Sequence, residues 1–173
     1  MYEKTFPNKR YAITARFLNE VLPKEAKILD LGVENPFSEI MKQQGYAVEN
    51  TKGEDLDIDT SSISNSNAEV VTAFEIFEHL LSPFTVLKSI KSDKLVASVP
   101  LKLWFSSAYR SKTDMRDRHY HEFEDWQFDW LLEKAGWKIK AREKWTNPTK
   151  KIGVRPILRW FTPRYYIVYA ERV

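Results

Sequence analysis

The sequence predicts an α/β protein: a doubly wound, mostly parallel sheet of seven-stranded type, closed by an antiparallel C-terminal edge. Two observations carry this. Strand-like and helix-like segments alternate through most of the chain, and parallel strands need crossovers, which are right-handed. The last two strand-like runs have no convincing amphipathic helix between them, so they read as an antiparallel pair. The 173 residues suffice for one domain with a substantial core, and a single domain over 1–173 is expected.

The elements follow in order. "YAITARFLNEVL" (11–22) sets Ile13, Phe17, Leu18, Val21 and Leu22 on one helical face, and Pro23 stops it. "AKILDLG" is a strand ending in glycine. "FSEIMKQQG" is a helix with Phe37, Ile40, Met41 and Gln44 at helical spacing and Gly45 as terminator, and Pro36 suits its first position. "YAVEN" is a second strand and "DLDID" a short third. "TSSISNSN" is a polar connector. "AEVVTAF" is a strand with β-branched residues at its centre. "SPFTVLKSIK" begins with Ser82 as N-cap and Pro83 at the first helical position. "KLVASVP" is a strand closed by Pro100, and a long connector follows over 101–123. In "EDWQFDWLLEKAG", Phe128, Leu131, Leu132 and Ala135 share a helix face before Gly136. "WKIKAREKW" and "RYYIVYAERV" are the last strands, joined by a basic loop with a short helix in "KKIGVRPILRWF".

Bulk properties exclude several classes. No cysteine is present, so disulfides, a thiolate nucleophile and cysteine-based metal sites are ruled out. "MYEKTFPNKR" lacks the apolar core of a signal peptide, and no apolar run approaches the roughly 18–20 residues that span a bilayer. A soluble cytoplasmic protein is expected. The net charge of +3 conceals an asymmetry: residues 137–173 hold 10 Lys+Arg against 2 Asp+Glu, so the rest is net acidic. Such a segment is either a solvated basic hairpin or a surface that attracts an anionic partner.

Four motifs fall in order over residues 26–145: "ILDLG", "AEVVTAFEIFEHLLSPFTVLKSI", "KLVASVP" and "HYHEFEDWQFDWLLEKAGW". Together they resemble the class I S-adenosylmethionine-dependent methyltransferases, of the type 11-like kind. The resemblance implies a Rossmann-like methyltransferase fold, S-adenosylmethionine as cofactor, and a site at the carboxyl ends of the central strands. It implies Asp30, Gly32, Asp57 and Asp59 on the cofactor side, with Glu34 and Glu75 bordering it. The family's turn runs acidic-x-Gly-x-Gly-x-Gly. Here it runs Asp30-x-Gly32-x-Glu34-x-Pro36, which brings a Glu34 side chain toward the methionine part of the cofactor. The family's acid for the ribose hydroxyls falls near Lys52, with Glu49 and Glu54 as substitutes. These departures keep a non-catalytic methyltransferase-like binding module as the alternative.

All three histidines, His79, His119 and His121, lie in "EIFEH" and "DRHYHEFE", which the fold should bring to one rim. Methyl transfer to oxygen or nitrogen needs an acceptor stripped of its proton, and histidine takes a proton near neutral pH. These three are the candidate catalytic residues, with the 101–123 connector as a lid. A second resemblance, to the small-RNA 3′-terminal 2′-O-methyltransferases, implies a divalent metal on Glu75, Glu78, His79 and His121. The leading reading uses no metal, because the same string also stands in methyltransferases without one. Nor is it a zinc-protease motif, since Glu75 occupies the first histidine position. Trp104, Phe105, Trp126 and Trp130 are expected in core or interface packing. "LRWFTPRYY" has the composition to meet a nucleic acid, a glycan intermediate or a partner chain. The partner expected overall is a small-molecule or anionic substrate, with nucleic acid second and no membrane.

Overall fold

The computed structural model describes residues 7–148 and 152–173. The first six residues and 149–151, where the predicted basic connector begins, lie outside the described residues. The elements are α1 (Pro7–Val21), β1 (Lys27–Asp30), α2 (Pro36–Gln43), β2 (Ala47–Asn50), α3 (Ser61–Ser64), β3 (Val70–Phe74), a 3-10 turn (Phe77–His79), α4 (Pro83–Ser89), β4 (Lys94–Pro100), α5 (Asp125–Lys134), β5 (Trp137–Thr146), α6 (Val154–Phe161) and β6 (Pro163–Arg172). The strands form one sheet in the order β2-β1-β3-β4-β6-β5. The first four are parallel, and β6 runs antiparallel to both β4 and β5. The C-terminal pair is antiparallel as expected; α6 lies between its strands but buries no residue and forms no crossover.

The sheet has six strands among the described residues, because "DLDID" is a turn and not a strand. The cause is local. The Asp55 carboxylate accepts from the Asp57 amide at 3.0 Å, and the Asp55 carbonyl accepts from Ile58 and Asp59, both at 2.9 Å. Aspartate that satisfies backbone N–H groups two residues on competes against a strand ladder. Helix α1 begins at Pro7 rather than at residue 11, since proline is tolerated in the first turn. Pro36 and Pro83 open α2 and α4 as expected.

Alternate residues of the central strands feed two cores. Val71, Ala73, Leu95, Ala97, Val99 and Val168 pack under α4 and α5 with Phe77, Val86, Leu87, Phe128 and Leu132. Val70, Val96 and Ile167 face the other way, under α1 and α2, with Phe17, Leu18, Phe37 and Met41. This period of two is why β3 and β4 read as nearly continuous apolar runs: both faces are covered. No helix among the described residues is long and apolar enough to cross a membrane. Trp126 and Trp130, expected in packing, meet edge to face at 4.7 Å on the exposed side of α5.

Truncating the α5 anchor, Phe128→Ala, is expected to lower the unfolding free energy by about 3–5 kcal/mol. Ile157→Ala, on the solvent side of α6, should stay within about 0.5 kcal/mol of the parent. Urea unfolding of both variants checks the pair.

A candidate active site at the carboxyl edge of the sheet

Strand β1 ends in Asp30, which is 2 % exposed. Its carboxylate accepts from Thr72 Oγ1 at 2.6 Å, Asn50 Nδ2 at 3.1 Å and Ser38 Oγ at 3.4 Å. Burial pushes its pKa up to about 6 against the lowering effect of those hydrogen bonds. Gly32 follows with φ +111°, which a side chain would rarely adopt. Its amide donates to Thr51 Oγ1 at 2.8 Å, and its carbonyl accepts from Asn50 Nδ2 at 3.2 Å.

The expected second and third glycines are replaced by a helix start. Asn35 caps α2, its side chain accepting from the amides of Phe37 (2.9 Å) and Ser38 (3.3 Å). Ser38 Oγ in turn accepts from the Asn35 amide at 3.3 Å, completing a capping box. Pro36 lacks only an N–H that the first helical turn leaves unpaired. Glu34 is turned outward and pairs with Lys42, which also meets Glu39 at 2.9 Å. The inward-pointing Glu34 expected from the sequence is thus corrected. The chain path sends that side chain to solvent, where a lysine in the last turn of α2 holds it.

After β3, Glu75 sits in the left-handed region at φ +57°. Few non-glycine residues do so, and strain of this kind concentrates at functional sites. Ser98 Oγ, from β4, donates to Glu75 Oε1 at 2.9 Å, and Arg10 of α1 lies 3.6 Å from Oε2. Burial raises the Glu75 pKa, and Arg10 and Ser98 oppose that rise. These groups line a cavity of about 360 Å³, together with Asp30, Gly32 and His79. A larger, open groove of about 670 Å³ runs between α1 and α2, but no strand end contributes to it. Ligand sites in open parallel sheets lie at the strands' carboxyl ends, so the smaller cavity is the candidate.

The remaining expected residues divide. Asp57 accepts from the amides of Leu81 (2.8 Å) and Ser82 (2.7 Å), holding the entry to α4, and Asp59 accepts from Ser61 at 2.8 Å. Neither lines the cavity of Asp30 and Gly32. Glu54 is bound to the Lys52 amide at 2.7 Å, and Glu49 is exposed on the edge strand. His79 and His119 stand together, ring centroids 4.6 Å apart. His121 is placed elsewhere: it stacks on Phe123, and its Nε2 faces the Leu81 carbonyl at 3.4 Å. His79 Nδ1 lies 3.0 Å from the Arg118 carbonyl. A carbonyl only accepts, so Nδ1 carries the proton and Nε2 is left with its lone pair. Burial lowers the His119 pKa to about 4, and the neighbouring His79 and Arg164 add to this.

Glu78 is 1 % exposed, and neither of its carboxylate oxygens has a hydrogen-bond partner among the described residues. Burial, reinforced by the charge of Glu75, raises its pKa well above the usual range. Ligand atoms of Glu78, His79 and His119 all lie within 4.8 Å of one another. The four-residue metal set expected from the second resemblance is therefore not assembled. Glu75 is engaged by Arg10 and Ser98, His121 is turned to Leu81, and His119 takes the place beside His79.

Arg10, Asn50 and Ser98 escaped the sequence reading. Ser98, a lone polar residue inside "KLVASVP", was a usable signal. Arg10 belongs to no motif and reaches the site only through the packing of α1.

No protein-family model and no curated protein matches the chain. Solved structures do. A SAM dependent methyltransferase from Archaeoglobus fulgidus superposes with TM-score 0.63 at 16 % identity, over 99 % of this chain and 100 % of that one. Its fold is that of the methyltransferases. The N-terminal domain of EvdMO1, solved with SAH bound, aligns at TM-score 0.56 and 15 % identity, over 94 % of this chain and 81 % of that one. The [4+2]-cyclase SpnF aligns at TM-score 0.56 and 14 % identity, over 92 % and 80 %. One fold thus carries more than one chemistry in these neighbours.

Asp30 makes the pH dependence of stability testable. Its folded pKa of about 6 lies above the ordinary 3.8, so the folded state holds the proton more tightly. Its contribution is fully present below about pH 4 and is lost as pH rises through 6. Unfolding midpoints compared between the parent and Asp30→Asn should show a fall of about 2–3 kcal/mol across pH 4–7 that the variant lacks.

Proposed function

We propose that the protein is an S-adenosylmethionine-dependent methyltransferase acting on an oxygen or nitrogen acceptor. The observation that carries the reading is the cavity at the carboxyl ends of β1, β3 and β4, where Gly32, Asp30, Glu75 and Arg10 converge. The residues fit the cofactor's chemistry. Gly32 exposes backbone for close approach, Glu75 suits the ammonium of the methionine part, and Arg10 suits its carboxylate. Asp30 has three side-chain donors and so fixes the turn rather than reaching for the ligand. S-adenosylmethionine supplies the electrophilic methyl group.

The protein's own part is to position the acceptor and take its proton. His79 borders the cavity, and its Nε2 lone pair is directed by the Nδ1 hydrogen bond to Arg118. The proton leaving an acceptor hydroxyl or amine passes to Nε2. His119, held neutral, packs against the His79 ring and orients it.

S-adenosylhomocysteine at about 100 times its dissociation constant should stabilise the protein by roughly 2.7 kcal/mol, seen as a melting shift and as heat in calorimetry. Glu34→Ala should leave that affinity unchanged, since its side chain faces Lys42. His79→Gln should lower turnover by about 10²–10⁴-fold with the same affinity. Absence of heat and of any melting shift at millimolar ligand would leave the non-catalytic module as the reading.

A second reading is favoured by the orphaned Glu78: a divalent ion held by Glu78, His79 and His119. The Nε2 lone pair of His79 faces Glu78 Oε1 at 3.7 Å, close to the roughly 3.3–3.4 Å that separates ligands on a tetrahedral ion bonded at about 2.0–2.1 Å. Such an ion would serve as a Lewis acid toward an acceptor hydroxyl. Titration with Zn²⁺ and with Mn²⁺ separates the two roles of His79. Under this reading the metal raises the melting temperature of the parent and not of Glu78→Gln; no shift with either ion discards it.

A further inference from the structure

Helix α6 is amphipathic but inverted. An amphipathic helix on a globular protein normally turns its apolar stripe to the core. Here no residue of α6 is buried. Val154, Ile157 and Phe161 recur at i, i+3 and i+7 with Trp160 beside them, and they are 74 %, 59 %, 81 % and 60 % exposed. Ile152, just before the helix, is fully exposed. The half-buried side of the helix carries Pro156, Leu158 and Arg159. The apolar arc therefore faces away from β5 and β6, the strands that α6 packs beside.

The charge around this arc points to its occupant. Arg155 and Arg159 stand on the opposite side of the helix from it, Arg164 follows, and no Asp or Glu occurs from residue 147 to 170. A nucleic acid would use the cations and leave the aliphatic side chains Val154 and Ile157 in water. An apolar face of aliphatic residues, Trp and Phe opposite a basic face matches an interfacial helix, which buries its apolar face in the bilayer surface while cations favour anionic headgroups.

The helix also stands at the end of the sheet that holds the cavity. Tyr165, four residues beyond α6, pairs with Pro100 at the carboxyl end of β4. The Leu101 amide donates to the Arg164 carbonyl at 2.7 Å, and the Arg164 guanidinium donates back to the Leu101 carbonyl at 2.6 Å. The 101–122 loop leaves from this junction, exposing Trp104 and Met115 (72 % and 71 %) among Lys102, Arg110, Lys112 and Arg116. It repeats the same pairing of apolar and basic side chains on the same rim.

We infer that α6 is an interfacial helix that docks the protein reversibly on an anionic membrane surface. This departs from the membrane-free expectation of the sequence, which tested only for spanning segments. It is independent of methyl transfer and can fail or hold without that reading.

The test is co-sedimentation of the full chain with vesicles of phosphatidylcholine alone and with about one-third phosphatidylglycerol. The protein is expected to pellet with the anionic vesicles, and less so at high salt. The double variant Ile157→Asp/Phe161→Asp should bind roughly tenfold more weakly or not at all, and Arg155→Glu should also weaken binding. Circular dichroism and the melting temperature should match the parent, because Ile157, Phe161 and Arg155 are all exposed. Failure of the parent to pellet with anionic vesicles overturns the inference. So does undiminished binding by the aspartate variant. A parent that sediments as a dimer, is dissociated by Ile157→Asp and ignores vesicles assigns the face to a second copy and equally overturns it.

Discussion

The carboxylate of Asp30 receives hydrogen bonds from Thr72 on β3, Asn50 on β2 and Ser38 on α2. Three elements are tied at one buried side chain. Desolvation alone makes an ionised carboxylate there unfavourable, and the donors offset part of that cost. The turn from β1 into α2 is held by this knot, which leaves Gly32 open to the cavity. The capping box of Asn35 and Ser38 is an extension of the same network, since Ser38 Oγ both receives the Asn35 amide and bonds Asp30.

Most of the architecture was legible because it depends on period and punctuation. The double-faced burial of β3 and β4 writes a continuous apolar run. The prolines at 36 and 83 mark helix starts, and the want of a core-facing helix between the last two strands marks the antiparallel pair. "DLDID" misled because its alternation imitates a strand while its aspartates satisfy their own backbone. The site was legible in part. Asp30, Gly32, Glu75 and His79 belong to local motifs whose strand ends fix their position. Glu34 and His121 belong to the same motifs, yet their side chains leave the site, because rotamer and chain path are set by neighbours distant in sequence. Lys42 draws Glu34 outward, and Phe123 holds the ring of His121. Arg10 was invisible for the converse reason: only the packing of α1 on the sheet, where Arg10 also lies over the Tyr165 ring of β6, brings it to Glu75.

The chemistry of the edge follows from burial more than from formal charge. Glu75 and Glu78 are crowded carboxylates that desolvation keeps toward their neutral forms, while His119 is kept unprotonated by the same cause. Net positive charge, by contrast, is placed on the surface, on the C-terminal hairpin and the rim loop. The molecule thus sets a buried edge, whose charges are paired as in Arg10 with Glu75, apart from a cationic exterior. Interactions inside the cavity are screened little by salt, and those on the rim are screened strongly.

The rim loop is fastened at both ends. Leu101 and Phe123 form a bridge, the Lys102 amide meets the Phe123 carbonyl at 2.8 Å, and the amides of Tyr120 and His121 both donate to the Glu78 carbonyl. A loop whose roots are closed in this way pays its ring-closure entropy at the roots, and lengthening its tip adds only slowly to that cost. Insertions, deletions and substitutions between residues 104 and 116 therefore leave the sheet edge intact, while Asp117 lines the cavity and the Arg118 carbonyl holds His79. Substrate choice in such a molecule can drift across generations while the pocket beneath stays the same, with new recognition arising by rewriting a tethered tip.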